Sequence, residues 1–217
     1  MSERYQGSEG EAYYAWQRGS GEISSVLDVP VFQPYVGPDD AVLDFGCGSG
    51  ALLAALSSGP KFGVELNAAA RREASEAGIE VAASMDEVAA ESIDVVISNH
   101  ALEHVLEPLA ELRLLRGVLK PGGRLVLRLP LDDWRTQRDH ADDGNHHLYA
   151  WTPRLIANLL REAGFAVERS EVVTYAWPPR SAALVDRLPR SVFDLLARAT
   201  AVALRRRQLL VVARRDA

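Results

Sequence analysis

A chain of 217 residues, of which 47% are hydrophobic, is long enough for one large domain and too apolar to be disordered. Its net charge of -6 argues against a nonspecific nucleic-acid-binding protein, whose domain is usually basic, so we expect no nucleic-acid partner. The single cysteine, Cys47, excludes an internal disulfide, and the lack of a signal peptide or a long apolar run predicts a cytoplasmic protein.

The first predicted segment, residues 1–38, is irregular. Glycines and prolines recur along it, and such residues interrupt helices and strands. Its aromatic residues indicate that it packs onto the rest of the chain. We therefore expect an ordered extension without long regular elements.

After this extension, short apolar runs alternate with stretches of helical periodicity. The predicted strands are Ala41–Phe45, Phe62–Leu66, Ile79–Ala83, Ile93–Ser98 and Arg124–Leu129. The predicted helices are Ala51–Leu56, Ala68–Ala77, Pro108–Leu119 and Pro153–Ala163. Alternation of this kind with short connections predicts an α/β fold, in which a mostly parallel sheet is covered by helices on both faces.

The last part of the chain has a different pattern. Phe165–Thr174 and Gln208–Ala213 are predicted strands, and Ala182–Leu204 has apolar residues at helical spacing interrupted by Pro189. Arginines lie beside this apolar face, from Arg180 to Arg207. The simplest interpretation is a solvated basic face. Contact with a membrane surface, a homodimer contact and a cap over a bound substrate remain alternatives.

A glycine-rich loop, Asp44–Gly50, follows the first predicted strand and opens a helix. Glycines let the backbone turn tightly and approach a ligand, and the helix N-terminus offers free N–H groups with a partial positive charge. Gly46-x-Gly48-x-x-Ala51 also fits the dinucleotide-binding pattern. By itself the loop predicts a nucleotide-type ligand and leaves a nicotinamide cofactor open.

Two acidic residues follow the next two predicted strands. Glu65, beside Leu66, can accept two hydrogen bonds from a ribose diol. Asp86 can accept from an adenine amino group while Met85 packs against the ring. The alternatives are a solvated or capping acid at Glu65 and a helix N-cap at Asp86.

Four blocks in this order resemble the class I S-adenosyl-L-methionine (SAM)-dependent methyltransferases. They are VLDFGCGSG (42–50), GVELN (63–67), DVVISNHALEHV (94–105) and LKPGGRLVLRLP (119–130). The resemblance covers residues 40–174. It implies a Rossmann-like doubly wound sheet with seven strands in the order 3-2-1-4-5-7-6, the seventh antiparallel. It also implies SAM as the cofactor and a small-molecule methyl acceptor, most often methylated at oxygen.

The resemblance assigns roles to individual residues. Residues expected to hold the methionine end of SAM are Asp44, Gly46, Cys47, Gly48 and Gly50, while Glu65 and Leu66 would hold the ribose. Asn99 and His100, at the end of the fourth strand, would lie beside the sulfonium. Residues 1–38 would form a lid, with Tyr13, Tyr14 and Trp16 near the acceptor. Edge packing is the alternative for that segment.

All the histidines lie near the predicted ends of the fourth and fifth strands, where ligands bind in open α/β sheets: His100, His104, His140, His146 and His147. Direct displacement needs a base only when the acceptor must lose a proton. His104, beside Glu103, is the first candidate base, followed by His146 and His147. The alternative is that His104 only packs against or caps the following helix.

The run from His100 to His104 also resembles the acidic-histidine cluster of ubiquinone-biosynthesis O-methyltransferases, which bind a divalent metal. Here His100 replaces a glutamate, which weakens the case for magnesium, so no metal is expected. The same letters match the H-x-x-E-H metalloprotease pattern, which requires both histidines on one helix.

Tyr149 and Trp151 are candidates for the acceptor pocket or, alternatively, for a staple onto the helix that begins at Pro153.

Taken together, the sequence predicts one methyltransferase domain. Residues 1–38 would be the lid, 39–174 the SAM-binding core, 175–207 a helical insertion and 208–217 the final strand. A non-catalytic SAM-binding protein and an NAD-dependent oxidoreductase are the alternative functions. Quinone precursors, sugars of surface glycans and secondary metabolites all remain open as acceptors.

Overall fold

A seven-stranded mixed sheet forms the centre of the computed structural model, which describes residues 5–131 and 145–216. The strands are β1 Val42–Phe45, β2 Lys61–Val64, β3 Glu80–Ala82, β4 Ile93–Asn99, β5 Leu119–Leu131, β6 Phe165–Val173 and β7 Arg207–Arg215. Their order is β3-β2-β1-β4-β5-β7-β6. The first five pair in parallel, and β7 is antiparallel to both β5 and β6. The predicted strand order and antiparallel seventh strand are confirmed.

Helices pack against both faces of this sheet. They are α1 Gly7–Leu27, α2 Val29–Phe32, α3 Ala51–Ala55, α4 Ala68–Glu76, α5 Pro108–Val118, α6 Pro153–Glu162, α7 Ser181–Val185 and α8 Arg190–Ala203. Adjacent strand residues point to opposite faces, so Val96 joins one core with α5 and α6 while Val95 and Ile97 join another with α2 and α3. Burial on both faces explains why β4 is a nearly continuous apolar run.

The prediction of an irregular segment over residues 1–38 is wrong, because Gly7–Leu27 form a helix of 21 residues. Each helical glycine costs about 1 kcal/mol relative to alanine, but tertiary packing can outweigh such propensities. Buried Leu27 packs against Phe193 of α8. At Gly10 a Cβ would lie 2.2 Å from the Tyr5 carbonyl oxygen, so this glycine permits close backbone approach.

The helical insertion is divided at Pro189, as the sequence predicts. Its two helices are α7 and α8, and Pro189 is the N-cap of α8. Within residues 5–131 and 145–216, none of the helices combines the length and apolar character needed to cross a membrane.

Candidate functional site

A cavity of about 880 Å³ opens beside the carboxyl ends of β1, β4 and β5. The glycine loop and Glu65 line one end, and the start of β7 lines the other. Tyr13 and Tyr14 of α1 form part of its wall. In open α/β sheets ligands bind at this edge, so the fold places the predicted loop where a ligand is expected.

The loop turns through three glycines in the left-handed region. The φ angles are 79° at Gly46, 54° at Gly48 and 75° at Gly50. A Cβ on Gly46 would come within 2.4 Å of the Ala101 Cβ, so the loop and the segment after β4 pack too closely for any side chain there. The result is a cavity wall made of backbone atoms.

Glu65 is held in place by the loop itself. Its Oε2 accepts a hydrogen bond from Gly48 N at 3.0 Å, and its Oε1 accepts one from Asn67 N at 2.7 Å. Burial raises the pKa of Glu65, and these backbone hydrogen bonds partly oppose that rise. A carboxylate has lone pairs beyond these two bonds, so Glu65 can also accept from a diol.

Asp44 is a buried acid at the same end of the cavity. Its Oδ1 has no hydrogen-bond partner among the described residues. Burial, together with the neighbouring Glu65, raises the pKa of Asp44 to about 7. A cationic ligand group would compensate this charge, so the orphaned oxygen and the glycine-lined wall fit a ligand that carries positive charge.

The side chain of Cys47, a residue of the loop, is buried against β2. Burial and the nearby charges of Asp44 and Glu65 raise the pKa of its thiol. A Cβ on Gly63 would lie 2.6 Å from its Sγ, which shows how closely β2 approaches. A buried neutral thiol is a poor nucleophile, so Cys47 contributes shape.

The end of β4 faces a buried ion pair that the sequence did not reveal. Asp28, at the end of α1, pairs with Arg128 of β5, and their side chains are 2% and 6% exposed. Asn99 Nδ2 donates to Asp28 Oδ2 at 2.9 Å, and Arg128 Nε donates to Gln208. The one signal in the sequence was Arg128 itself, a charge between the apolar residues Leu127 and Leu129 of β5.

His104 and Glu103 form a second group at the middle of the cavity. Tyr5 Oη lies 2.7 Å from His104 Nδ1, and the rings of His104 and His147 are 5.2 Å apart. Burial lowers the pKa of His104, while Glu103 opposes this. A neutral imidazole is the form that can accept a proton.

Glu103 is fully buried, and neither of its carboxylate oxygens has a hydrogen-bond partner within the described ranges. His100 Nδ1 lies 3.4 Å from Glu103 Oε1, an ion-pair distance. His100 has a φ of 56° and lies outside the 3-10 turn Leu102–His104. The two histidines therefore do not share a helix, which contradicts the metalloprotease pattern.

A metal-compatible cluster is present, but its members differ from the run identified in the sequence. Ligand atoms of Glu103, His104 and His147 lie within 4.8 Å of one another. His147 therefore joins the cluster in addition to the two neighbours in sequence. One carboxylate with two imidazoles suits zinc-like metals better than magnesium.

Several predicted cofactor residues lie outside the cavity wall. A Cβ on Gly50 would meet Ile79 at 2.4 Å, so this glycine serves packing. Met85 is in the hydrophobic core and Asp86 is exposed on a short 3-10 helix. Leu66 is half-buried and does not line the cavity. The other predicted cofactor residues do line it: Asp44, Gly46, Cys47, Gly48, Glu65, Asn99 and His100.

The aromatic candidates divide in the same way. Tyr13 and Tyr14 line the cavity, whereas Trp16 is 64% exposed. Trp151 is 1% exposed in the core and stacks on Tyr149, so neither reaches the cavity wall as the pocket hypothesis expected. Both precede Pro153 of α6, in agreement with the alternative of a staple.

The remaining histidines have different positions. His147 lines the cavity. His146 offers its carbonyl oxygen at 3.4 Å from His104 Nδ1, and its side chain does not line the wall. His140 lies outside the described residues.

A family model described as a methyltransferase domain matches residues 24–170. The ubiquinone biosynthesis O-methyltransferase of Xanthomonas euvesicatoria pv. vesicatoria is 39% identical over 98 residues. That alignment covers 40% of this chain and 41% of the relative, so the match spans less than half of the relative's length.

Solved structures share the fold at low identity. A chain from the complex between the Haloferax volcanii Trm112 methyltransferase activator and a methyltransferase has a TM-score of 0.68 at 19% identity, covering 95% of this chain and 96% of that chain. A SAM-dependent methyltransferase from Archaeoglobus fulgidus has a TM-score of 0.64 at 18% identity, covering 93% and 99%. The family model spans more than half of the sequence, so the chain belongs to the methyltransferase domain family, and the predicted resemblance to the class I SAM-dependent methyltransferases is confirmed.

Proposed function

We propose that this protein transfers the methyl group of SAM to an oxygen atom of a small-molecule acceptor. The observation that carries the proposal is that one cavity contains both halves of such a site. Asp44 and Glu65 lie at one end, and His104 lies with Tyr5 farther along. The relative named as an O-methyltransferase supports oxygen as the target.

The acidic end of the cavity would bind the cofactor. Asp44 would face the positively charged methionine end, because its buried carboxylate has an oxygen without a partner in the described part of the chain. Glu65 would accept from the ribose hydroxyls while the loop N–H of Gly48 fixes its orientation. Bound SAM supplies an activated methyl group, which an acceptor oxygen takes by direct displacement.

The middle of the cavity would bind the acceptor. His104, kept neutral by burial, would take the proton of the acceptor hydroxyl. Tyr5 would fix the imidazole through its contact with Nδ1, and this contact ties the segment before α1 to the site. Tyr13 and Tyr14 would close the cavity above the reacting groups, which supports a lid.

Substituting Glu65→Gln should weaken SAM binding by about 10- to 100-fold, because a charged hydrogen-bond acceptor is lost. Calorimetry with SAM, its demethylated product and NAD measures this directly. Wild-type protein should bind the first two and not NAD. Glu76→Gln, an exposed acid on α4, is the matched control and should bind SAM normally. Binding of NAD without SAM would refute the proposed cofactor and favour the oxidoreductase.

Substituting His104→Asn should lower kcat by about 10²- to 10⁴-fold with little change in SAM affinity, because only proton removal is lost. The assay follows labelled methyl transfer from SAM to an acceptor found by screening hydroxyl compounds. The wild-type rate should rise with pH through a pKa below the usual value of 6.5, and the variant should lack this rise.

Tyr5→Phe should shift that pH profile, because the hydroxyl contacts the ring nitrogen. Tyr149→Phe is its control, since that hydroxyl donates to the Leu106 carbonyl away from the cavity.

Full activity of His104→Asn would replace the base mechanism with positioning alone. SAM binding with no transfer to any acceptor would favour the non-catalytic alternative.

A further inference from the structure

Three consecutive arginines line the end of the cavity opposite the glycine loop. Arg205, Arg206 and Arg207 connect α8 to β7, and all three are exposed. Arg205 has a φ of 54°, and Arg206 N donates to the Ala201 carbonyl at 2.8 Å. This turn, together with the pairing of Arg207 with Leu131 of β5, places the group at the sheet edge where the cavity opens.

Several arginines elsewhere in the fold have acidic partners. Arg128, Arg190, Arg214 and Arg215 each form an ion pair with a carboxylate. In contrast, the guanidinium groups of residues 205–207 form no hydrogen bond or ion pair with any residue in the described ranges. The chain has 30 acidic and 24 basic residues, so a group of arginines without acidic partners is not a consequence of excess basic residues.

The cavity is therefore polarised along its length. Asp44, Glu65 and Glu103 lie toward the β1 and β4 side, and the arginines lie on the β7 side. The acidic side suits the cationic cofactor proposed above. The basic side lies beyond it and is available for a different ligand group of opposite charge.

The spacing of the strands sets the scale of that second ligand. Strand β7 is two strands from β4, so their ends lie about 10 Å apart. His104 follows β4, and arginine side chains can extend back toward it over several ångströms. A compact acceptor can therefore place a hydroxyl at His104 and a second group among the arginines. Trp177 lines this end of the cavity and offers an aromatic surface.

We propose that the methyl acceptor carries an anionic oxyacid group, a carboxylate or a phosphate, which Arg205–Arg207 bind while its hydroxyl reaches His104. Guanidinium groups pair with both groups through two parallel hydrogen bonds, so the shared chemistry is a planar or tetrahedral oxyanion. The proposal rests on the proposed function, because it names the acceptor class for that same site. Cavity lining favours a small molecule over an anionic lipid surface as the partner of these arginines.

The double variant Arg205→Gln/Arg206→Gln tests the proposal. Its matched control is Arg187→Gln/Arg198→Gln, which removes the same charge from exposed positions of the insertion outside the cavity wall. Labelled methyl transfer is measured on hydroxyaryl compounds offered in three forms: with a carboxylate, with a phosphate and with a neutral group in the same place. SAM affinity of every variant is measured by calorimetry.

Anionic acceptors should be methylated in preference to their neutral analogues. For these acceptors the double variant should raise KM by about 10- to 100-fold while SAM affinity stays unchanged, and the control should behave as wild type. The carboxylate and phosphate series then tell which oxyanion the site takes.

Equal use of neutral and anionic acceptors, or an unchanged KM in the double variant, would overturn the proposal and leave SAM-dependent methylation intact. Failure of wild-type protein to bind SAM would instead overturn the proposed function. A further arm measures binding to vesicles containing anionic phospholipid. If the double variant loses vesicle binding but keeps the wild-type KM, the arginines serve a lipid surface and the acceptor proposal is wrong.

Discussion

Substituting Arg128→Met is expected to lower the free energy of unfolding by about 3–5 kcal/mol, because it leaves the buried Asp28 carboxylate without its cation. As whole residues, Arg128 and Asp28 are 5% and 1% exposed, so water cannot replace the lost partner. Denaturant unfolding at neutral pH measures the loss. The effect should exceed that of deleting any exposed ion pair, such as Arg169 with Glu171, which contributes about 0–1 kcal/mol.

Two further variants separate the charge from the volume of Arg128. Asp28→Asn in the Arg128→Met background removes the uncompensated charge and should recover much of the stability. Arg124→Met, on the same strand, removes an arginine that forms no ion pair with a described residue, and it should change stability by about 0.5 kcal/mol or less. A loss below about 1 kcal/mol in Arg128→Met would contradict the ion pair.

The ion pair also connects α1 to the sheet. Asp28 follows α1 directly, and its carboxylate receives hydrogen bonds from Ser24 of α1 and Asn99 of β4. Breaking the pair therefore releases the end of α1 from the cavity wall. The Arg128→Met variant should weaken SAM binding as well as stability.

The end of the cavity where we propose that the cofactor binds could be predicted because its residues are close together in sequence. Gly46, Gly48 and Gly50 lie two residues apart directly after an apolar strand, so a few consecutive residues predict the loop. All three have a positive φ in the structure. Glu65 follows the next strand, and parallel neighbours bring both to one edge of the sheet. Strand order followed from the family resemblance, whereas alternation of strands with helices predicted only a mostly parallel sheet.

The rest of the site depends on contacts that leave little trace in the sequence. Asp28 and Arg128 are 100 residues apart, and Tyr5 meets His104 across 99 residues. No periodicity links such pairs. The helix α1 was missed because its glycines indicate turns, although at Gly10 the glycine instead permits backbone contact.

Side-chain direction was equally hard to infer. The sequence grouped His100 with Glu103 and His104, but the metal-compatible cluster consists of Glu103, His104 and His147. The backbone bond from Leu148 N to the Glu103 carbonyl, at 2.9 Å, holds the segment of His147 beside this turn. Trp151 was a pocket candidate by its position in the chain. It lies in the core directly before Thr152, whose hydroxyl caps α6 by accepting from Leu155 N at 3.1 Å.

The pKa of about 7 for Asp44 has opposite consequences for stability and for cofactor binding. The ordinary pKa of an aspartate is 3.8, so between pH 3.8 and about 7 the folded protein holds a proton that the unfolded chain releases. The protonated Asp44 is tolerated in the folded protein, and the stability that this protonation provides is lost as pH rises toward 7. Each pKa unit corresponds to about 1.4 kcal/mol, so at pH ~8 the ionised, buried Asp44 costs the folded protein roughly 4 kcal/mol.

Substituting Asp44→Asn should therefore make the ligand-free protein more stable than wild type at pH ~8, and the difference should shrink toward pH ~5. The same substitution should weaken SAM binding at least 10-fold at pH ~8, because the cationic ligand loses its compensating charge. Wild-type SAM affinity should fall about 10-fold between pH ~8 and pH ~6 as Asp44 takes up its proton, and the variant should lack this fall.

Thermal unfolding across pH and calorimetry with SAM measure the two effects on the same samples. Asp39→Asn, at an exposed position outside the cavity, is the matched control and should keep the wild-type pH dependence in both. A destabilised Asp44→Asn protein at pH ~8 would show that the carboxylate is already compensated in the ligand-free state. Opposite signs for stability and affinity would identify Asp44 as a charge retained for the cofactor, since a purely structural acid would lose both together.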